Sequence, residues 1–516
     1  MAETIISVGI DIGTTTTQLI FSRFTIENTA GVSSVPRISI VDKRIVYESA
    51  IYITPLLSQT RIDENAVRGI VQKEYALAGI KPESVTTGAV IITGETARKE
   101  NAGSVLSAMS GLAGDFVVAT AGGDLESIIA GKGAGAAAIS LQEHKTTANL
   151  DIGGGTTNIA VFSEGDVAAA SCFDVGGRLI RLRGGSGPDA MAVDYIAPKI
   201  EKYCRDAGIA VKTGQAASKR ELQRVCRWMA AALLAALGFT GTEGSAAAAG
   251  AGAAGAAAAT GAAAAAAGRS VTEVTTGAVA GAADVAFLAT EHTLMHPAPE
   301  LITFSGGVAS YIYDPPGGDF PHGDIGALLA LEIRYAFSPV WDRVRKPSHT
   351  IRATVIGAGM YSTELSGSTI TYIGVSFPLK NIPIIRLSKS EEELPIERFS
   401  EIVRHRLAWY NDAGKYSVAA LSMTGEHNIS FAGIQQYAAK ISRGMSPLIE
   451  AGLPLIVVVE LDMAKALGQA LSAVYGNHRL VCIDGVSSSQ GDYIDIGTPL
   501  MGGRVLPVVI KTLVFN

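Results

Sequence analysis

Apolar and polar positions fall into a pattern that occurs twice in this chain. Apolar runs at residues 5–10 and 18–21 flank Asp11-Ile12-Gly13-Thr14-Thr15-Thr16-Thr17. Runs at 148–150 and 159–162 flank Asp151-Ile152-Gly153-Gly154-Gly155-Thr156-Thr157-Asn158 in the same way. Each copy predicts a strand, a Gly/Thr turn and a second strand, with Asp, Gly and Thr at the hairpin tip. Two such hairpins far apart predict a duplicated architecture. Between them, the helical spacing of 64–77 is closed by Gly79 and Pro82. Residues 89–93 and 116–120 read as buried strands, and 125–130 begin a helix that runs into a Gly-rich stretch. Strand and helix alternate, which predicts an α/β class.

Downstream the pattern changes. Residues 187–300 read as mostly helical, but 246–268 are almost only Ala and Gly and cannot specify a packed core. Residues 301–309 read as a strand breaking at Gly306-Gly307, and 353–360 as a strand ending in the small-residue turn Gly357-Ala358-Gly359. Beyond about 366, strands at 417–423, 455–460 and 480–484 alternate with helices at 431–441 and 463–474. That alternation predicts a separate small α/β module with a β-rich tail.

Composition narrows the function classes. A chain of 516 residues suggests several domains, and 48% hydrophobic with 17% charged residues describes a folded protein. The net charge of −6 argues against nucleic acid or an anionic membrane as a general partner. Cys172, Cys204, Cys226 and Cys482 show no CxxC spacing, so neither a zinc site nor a redox pair is signalled and a reducing compartment is expected. The first residues lack the basic and long apolar regions of a secretory leader, and the Ala/Gly run is too weakly apolar for a membrane span. The expectation is a soluble, cytosolic protein.

The hairpin tips carry the candidate chemistry. Backbone N–H groups and Thr hydroxyls in a Gly-rich turn can grip phosphate oxygens, and Gly lets the backbone approach closely. An Asp at the strand end supplies a hard oxygen suited to Mg²⁺, which takes few carboxylates along with water and substrate phosphate. Two facing tips could therefore hold one nucleotide with a metal between them. No GxxxxGK[ST] loop, HExxH pair or GxSxG elbow competes with this, and no GxGxxG follows the first strand. His292 and His296 are spaced i, i+4, but Pro297 follows and no third ligand is near, so a metal role is not favoured. Glu126 could orient a water or face solvent, Lys132 could approach phosphate but reads rather as a surface lysine at a helix end, and Glu95 and Arg98 could face the cleft or belong to a helix start capped by Thr93 or Thr96.

The runs VGIDIGTTTT, LDIGGGTTN, TFSGGVA and VIGAG, in that order, resemble the actin/Hsp70/sugar-kinase superfamily. This resemblance implies duplicated actin-like (ribonuclease H-like) ATPase domains with a nucleotide in the cleft between them. It implies Asp11 and Asp151 near Mg²⁺. It places Gly13, Thr14, Thr15, Thr16, Gly153, Gly154, Gly155 and Thr156 around the phosphates, and Gly306, Gly307 and Gly357 beside the nucleotide. The implied organisation is an actin-like subdomain over 1–147 and a second over 148–350 containing the 246–268 run. A return segment over 351–370 and a C-terminal α/β module over 371–516 complete it. The Glu-Pro that opens the first connecting segment in Hsp70-like members is absent, and Glu126 in Gly122-Gly123-Asp124-Leu125-Glu126 is the candidate for that catalytic role.

A more specific resemblance covers both ends of the chain. The runs VGIDIGTTTTQLIFSR, IITGETARKENA, GDFVVATAGGDLESIIAGKGAGA, NLDIGGGTTN, VGGRLI, RATVIGAGM, LSGSTI and GDYIDIGTPLMGGRV are similar to the ethanolamine ammonia-lyase reactivating factors, the EutA family. Membership would imply a chaperone-like, weak ATPase that uses ATP and Mg²⁺ to release damaged cobalamin from ethanolamine ammonia-lyase, so that intact adenosylcobalamin can enter. It would also imply a cytoplasmic protein associated with a bacterial microcompartment, with a homo-oligomer left open. No DxHxxG cobalamin-ligating pattern occurs, so the chain itself is not expected to hold cobalamin through a histidine. Three rivals stay open: an actin-like small-molecule kinase, a nucleotide-switched scaffold or filament protein, and an ATP-dependent hydantoinase-like enzyme.

Overall fold

The computed structural model describes residues 2–512 except 31–37, 59, 94–95, 97–98, 110–111, 113–122, 188–189, 240–280, 291, 316, 362–363, 368, 413–414 and 476–478. The strand expected at 116–120, Glu95, Arg98 and the Ala/Gly run at 246–268 lie outside the described residues.

The first hairpin is β1 (Glu3–Ile12) against β2 (Thr16–Asn28). Strand β3 (Ile38–Glu48) extends it on one side. Helix α1 (Glu64–Ala78) then crosses over to β4 (Val85–Ile92), which joins β1 in parallel. Asp63 caps α1 by accepting from the Ala66 N–H at 3.0 Å. Gly79 ends it in the left-handed region at φ 65°, which a residue without a Cβ adopts at little cost. Helix α2 (Gly123–Ala134) leads to the second unit. There β5 (Thr147–Ile152), β6 (Thr157–Ser163) and β7 (Asp166–Phe173) form an antiparallel meander. Strand β8 (Leu301–Ser305) joins β5 in parallel.

The two sheets thus share one topology: β3-β2-β1-β4 and β7-β6-β5-β8, three antiparallel strands and then a parallel fourth. Their hairpins also share a register, with Asp11 opposite Gln18 and Asp151 opposite Asn158. The predicted duplication is present in the fold. Buried strands on β1, β2 and β4 pack Ile10, Ile12, Phe21 and Ile92 over α1. Fully burying side chains of this kind contributes roughly 1.5–3 kcal/mol each.

Two expectations need correction. The segment read as mostly helical carries strands Ala190–Ile196 and Ala216–Ser218 besides its helices, the first paired with Ile180–Gly187 that precedes it. Its short Ala190–Ile196 run buries Val193 and Ile196 in one core, with a register shift opposite Arg181 and Leu182 between them. The second correction concerns 353–360. After helices α3 (Gly307–Tyr313) and α4 (Gly326–Ala336), this stretch is helix α5 (Ala353–Tyr361), not a strand. A run of buried Ala, Val, Ile and Gly does not declare its period, and here close packing on α2 favours the helix.

The C-terminal region alternates as expected. Strands β9 (Leu379–Arg386), β10 (Ala420–Met423), β11 (Leu455–Val459) and β12 (Leu480–Ile483) run parallel. Helices Ile396–Leu407, Phe431–Gly444 and Ala464–Tyr475 lie between them. Asp492–Ile496 extends the sheet antiparallel to β9, and Pro507–Thr512 pairs antiparallel to Asp492–Ile496 in turn. This region is not detached from the first unit. Leu500 and Val505 pack with Ile5, Phe24 and Ile26 on the first sheet, and the Met501 N–H donates to the Glu3 carboxylate at 2.6 Å.

Candidate functional site

Each hairpin turns in the same way. The Gly13 N–H donates to the Thr16 carbonyl at 2.8 Å, and the Gly153 N–H to the Thr156 carbonyl at 2.9 Å. The two tips face each other across a cleft of about 570 Å³, a volume that suits a small-molecule or cofactor ligand. At Gly154 the tips nearly touch: a Cβ there would lie 2.8 Å from Thr15 Oγ1. Asp11, Gly13, Thr14, Thr15, Thr16, Glu126, Asp151, Gly153, Gly154, Gly155, Thr156, Gly306 and Gly307 all line this cleft. Gly306 stands at φ 88° over the backbone of Ile152, where any Cβ would collide, so the turn after β8 requires glycine. Gly357 is different. It lies on α5 against Ile129 of α2 rather than in the cleft lining, because a helix there must admit a neighbouring backbone.

The two carboxylates are buried and held by hydroxyls. Thr93 Oγ1 donates to Asp11 Oδ1 at 3.0 Å. Ser305 Oγ donates to Asp151 Oδ1 at 2.6 Å, and Thr354 Oγ1 to Asp151 Oδ2 at 3.2 Å. Burial pushes the Asp11 carboxyl up to about 7; the Thr93 hydrogen bond opposes this, and the negative charge of Asp151 adds to it. Burial likewise raises Asp151, against the pull of Ser305 and Thr354. Two desolvated carboxylates in one cleft are unfavourable without protons or a cation.

The residues fit a nucleotide with a divalent cation. The Thr14 and Thr15 hydroxyls and the Gln18 side-chain oxygen are buried and meet no protein partner. Unmade hydrogen bonds of this kind cost free energy that a polar ligand in the cleft would recover. Among the described residues no group of three or more His, Cys, Asp or Glu could hold a metal. Two buried carboxylates, Asp11 and Asp151, in one cleft are a donor set of the kind Mg²⁺ takes, since it completes its shell with water and phosphate. Lys132 does not line the cleft. His292 Nε2 instead lies 3.5 Å from an Asp124 carboxylate oxygen and 3.1 Å from the Ala170 carbonyl.

Sequence reading missed Thr93, Ser305 and Thr354, which position the carboxylates, and Arg178 and Asp324, which also line the cleft. Signals were present. Ser305 directly precedes Gly306-Gly307, and Arg178 directly follows Gly176-Gly177. Their contacts span too much chain to be read from either run alone.

The model of the family described as Ethanolamine utilisation protein EutA matches residues 3–250 and 256–516. The chain belongs to the EutA family. The Ethanolamine ammonia-lyase reactivase EutA of Salmonella typhimurium strain LT2 is 36% identical over 515 residues, covering 99% of this chain and 98% of that one. The protein of the same name from Escherichia coli strain K12 is 36% identical over 520 residues, with the same coverage. Among solved structures, a Ppx/GppA family member from Aquifex aeolicus is 13% identical, covers 69% of this chain and 97% of that one, and has a TM-score of 0.35. The fold of this EutA-family chain is mixed α/β with two units of one sheet topology. Among the described residues no helix is long and apolar enough to cross a membrane.

Proposed function

We propose that this chain is a reactivase of ethanolamine ammonia-lyase, driven by ATP and Mg²⁺, that promotes exchange of damaged cobalamin for intact adenosylcobalamin. Family membership supports the partner. The observation that carries the nucleotide reading is the pair of facing hairpins with Asp11 and Asp151 buried between them. Bound Mg²⁺ would neutralise charge on the nucleotide's phosphates. The tips at 13–16 and 153–156 bind and orient those phosphates through backbone N–H groups and the Thr14, Thr15 and Thr156 hydroxyls. Thr93, Ser305 and Thr354 hold the two carboxylates in place. Glu126, buried on the cleft side of α2, orients an attacking water.

Movement of the first tip has a route to the surface. Thr54 donates its N–H to the Thr15 carbonyl at 3.0 Å and its hydroxyl to the Gly13 carbonyl at 2.8 Å. The residues around it, Ile51, Ile53, Leu56 and Leu57, are exposed. A nucleotide-dependent shift at Gly13 and Thr15 would therefore move an apolar surface and change its affinity for the lyase.

The test is a reactivation assay. Ethanolamine ammonia-lyase inactivated with cobalamin lacking its adenosyl group is mixed with this protein, ATP, Mg²⁺ and fresh adenosylcobalamin. Recovery that needs ATP and is lost in both Asp11→Ala and Asp151→Ala is the expected result. No recovery, from a lyase whose apoenzyme accepts fresh cofactor, would sink the reactivase reading. Phosphoryl transfer to a small acceptor would favour a kinase instead.

A further inference from the structure

Resting on the nucleotide reading of the cleft, we infer that Arg178 is its phosphate-binding guanidinium, laid onto the second hairpin by the Gly176-Gly177 pair. The first support is charge. The described lining carries four carboxylates, Asp11, Glu126, Asp151 and Asp324, and Arg178 is its one permanent cation. No loop lysine of the GxxxxGK[ST] kind exists to meet a polyphosphate. A nucleotide entering this cleft adds negative charge to negative charge, and Mg²⁺ alone must then balance it unless Arg178 takes part.

The second support is how the residue is built in. The Gly177 N–H donates to the Gly153 carbonyl at 3.0 Å and the Arg178 N–H to the Gly154 carbonyl at 2.7 Å. A Cβ on Gly176 would collide with the Gly154 backbone, so only glycine lets this strand of chain lie on the hairpin. The Arg178 stem then passes over Gly154, with its Cγ and Cδ 3.5 Å from where a Cβ of that glycine would be. Thr15 Oγ1 approaches the same point from the first hairpin at 2.8 Å. Arg178 therefore stands where the two tips meet.

The third support is that the guanidinium makes no short hydrogen bond to its acid neighbour and holds it by a long ion pair. Its nearest acid is Asp324, with Nε 3.9 Å from Oδ2, beyond hydrogen-bond reach. Asp324 is oriented by the Gly326 N–H, which donates to its other oxygen, Oδ1, at 2.9 Å. A half-buried arginine whose stem crosses a Gly-rich hairpin tip, with its acid neighbour beyond hydrogen-bond reach, can present its planar fork to phosphate oxygens.

The experiment measures ATP and ADP binding to the full chain by calorimetry in Mg²⁺ buffer, with the apo melting temperature in parallel. Arg178→Met keeps the apolar stem and removes the charge; Arg178→Lys keeps the charge without the planar fork. Loss of charge-assisted hydrogen bonds predicts that Arg178→Met weakens both nucleotides by about 10- to 100-fold with apo melting unchanged. Arg178→Lys should recover part of that, and the salt dependence of binding should fall in Arg178→Met. Unchanged affinity in Arg178→Met, or a loss that follows a lowered melting temperature in both variants, overturns the assignment. A wild-type protein that binds neither ATP nor ADP overturns the nucleotide reading itself, and this inference with it.

Discussion

The α-carbon of Gly357 on α5 faces the carbonyl oxygen of Ile129 on α2 so closely that a methyl group there would overlap it. Gly133 makes the reciprocal approach to the carbonyl of Ala353. The two connecting helices thus cross backbone to backbone beneath the cleft. A side chain at either glycine forces them apart, and overpacking of this kind costs about 1–3 kcal/mol or more. Gly357→Ala is expected to lower the urea midpoint by that order, while Gly103→Ala, on helix Ala102–Met109 and facing open space, holds or raises it. Equal midpoints for the two variants would refute the crossing.

The buried carboxylate of Asp11 makes the nucleotide-free protein pH-sensitive. Its folded pKa of about 7 stands above the ordinary 3.8, so the folded state binds the proton more tightly than the unfolded one. That stabilising contribution is complete below pH 3.8 and is lost as pH rises through about 7. At about 1.4 kcal/mol per unit, the loss is on the order of 4 kcal/mol. Asp151, raised by burial too, acts in the same direction. Asp11→Asn should flatten the decline and be more stable than wild type at pH 8 in EDTA. Denaturation curves at pH 5 and pH 8 would decide it; a wild type more stable at pH 8 would contradict it.

Hydroxyls that hold the carboxylates should matter for ligand more than for fold. Thr93→Val removes the donor to Asp11, and Ser305→Ala removes the 2.6 Å donor to Asp151. Each loss leaves its carboxylate less supported, at about 1–3 kcal/mol per hydrogen bond to a charged group. Mg²⁺–ATP affinity should fall about tenfold in either variant. Titration of nucleotide against fixed Mg²⁺ measures this, and wild-type affinity in both would remove these hydroxyls from the site.

Reagents for thiols should find this protein inert while folded. Cys172, Cys204, Cys226 and Cys482 are all buried thiols outside any disulfide, and burial raises the Cys204, Cys226 and Cys482 thiols above their usual range. A buried thiol with little thiolate reacts slowly. Labelling with a chromogenic disulfide is expected only after unfolding in urea, when all four become reactive. Rapid labelling of the native protein would show that one of these sites opens.

The hairpins were legible because their information is local. Asp, Gly and Thr over 11–17 and 151–158 dictate turn and tip chemistry within a few residues, whatever lies around them. The alternation in 417–484 was legible for the same reason, since strands and helices there differ in length and flanking turns. Residues 353–360 were not, because buried small and branched residues fit either period and only the α2 crossing selects the helix. Gly357 looked like a ligand-side turn and proved to be a packing residue of that crossing.

By itself, the sequence determined that two phosphate-type hairpins exist and which side chains sit at their tips. Tertiary structure decided what those tips meet. Ser305 reaches Asp151 across 154 positions and Thr354 across 203, and Thr93 reaches Asp11 across 82. Such contacts depend on parallel β1–β4 and β5–β8 pairing and on where α5 docks, which no local run of residues encodes. The same folding desolvates both aspartates together and so sets their shared need for a proton or a cation.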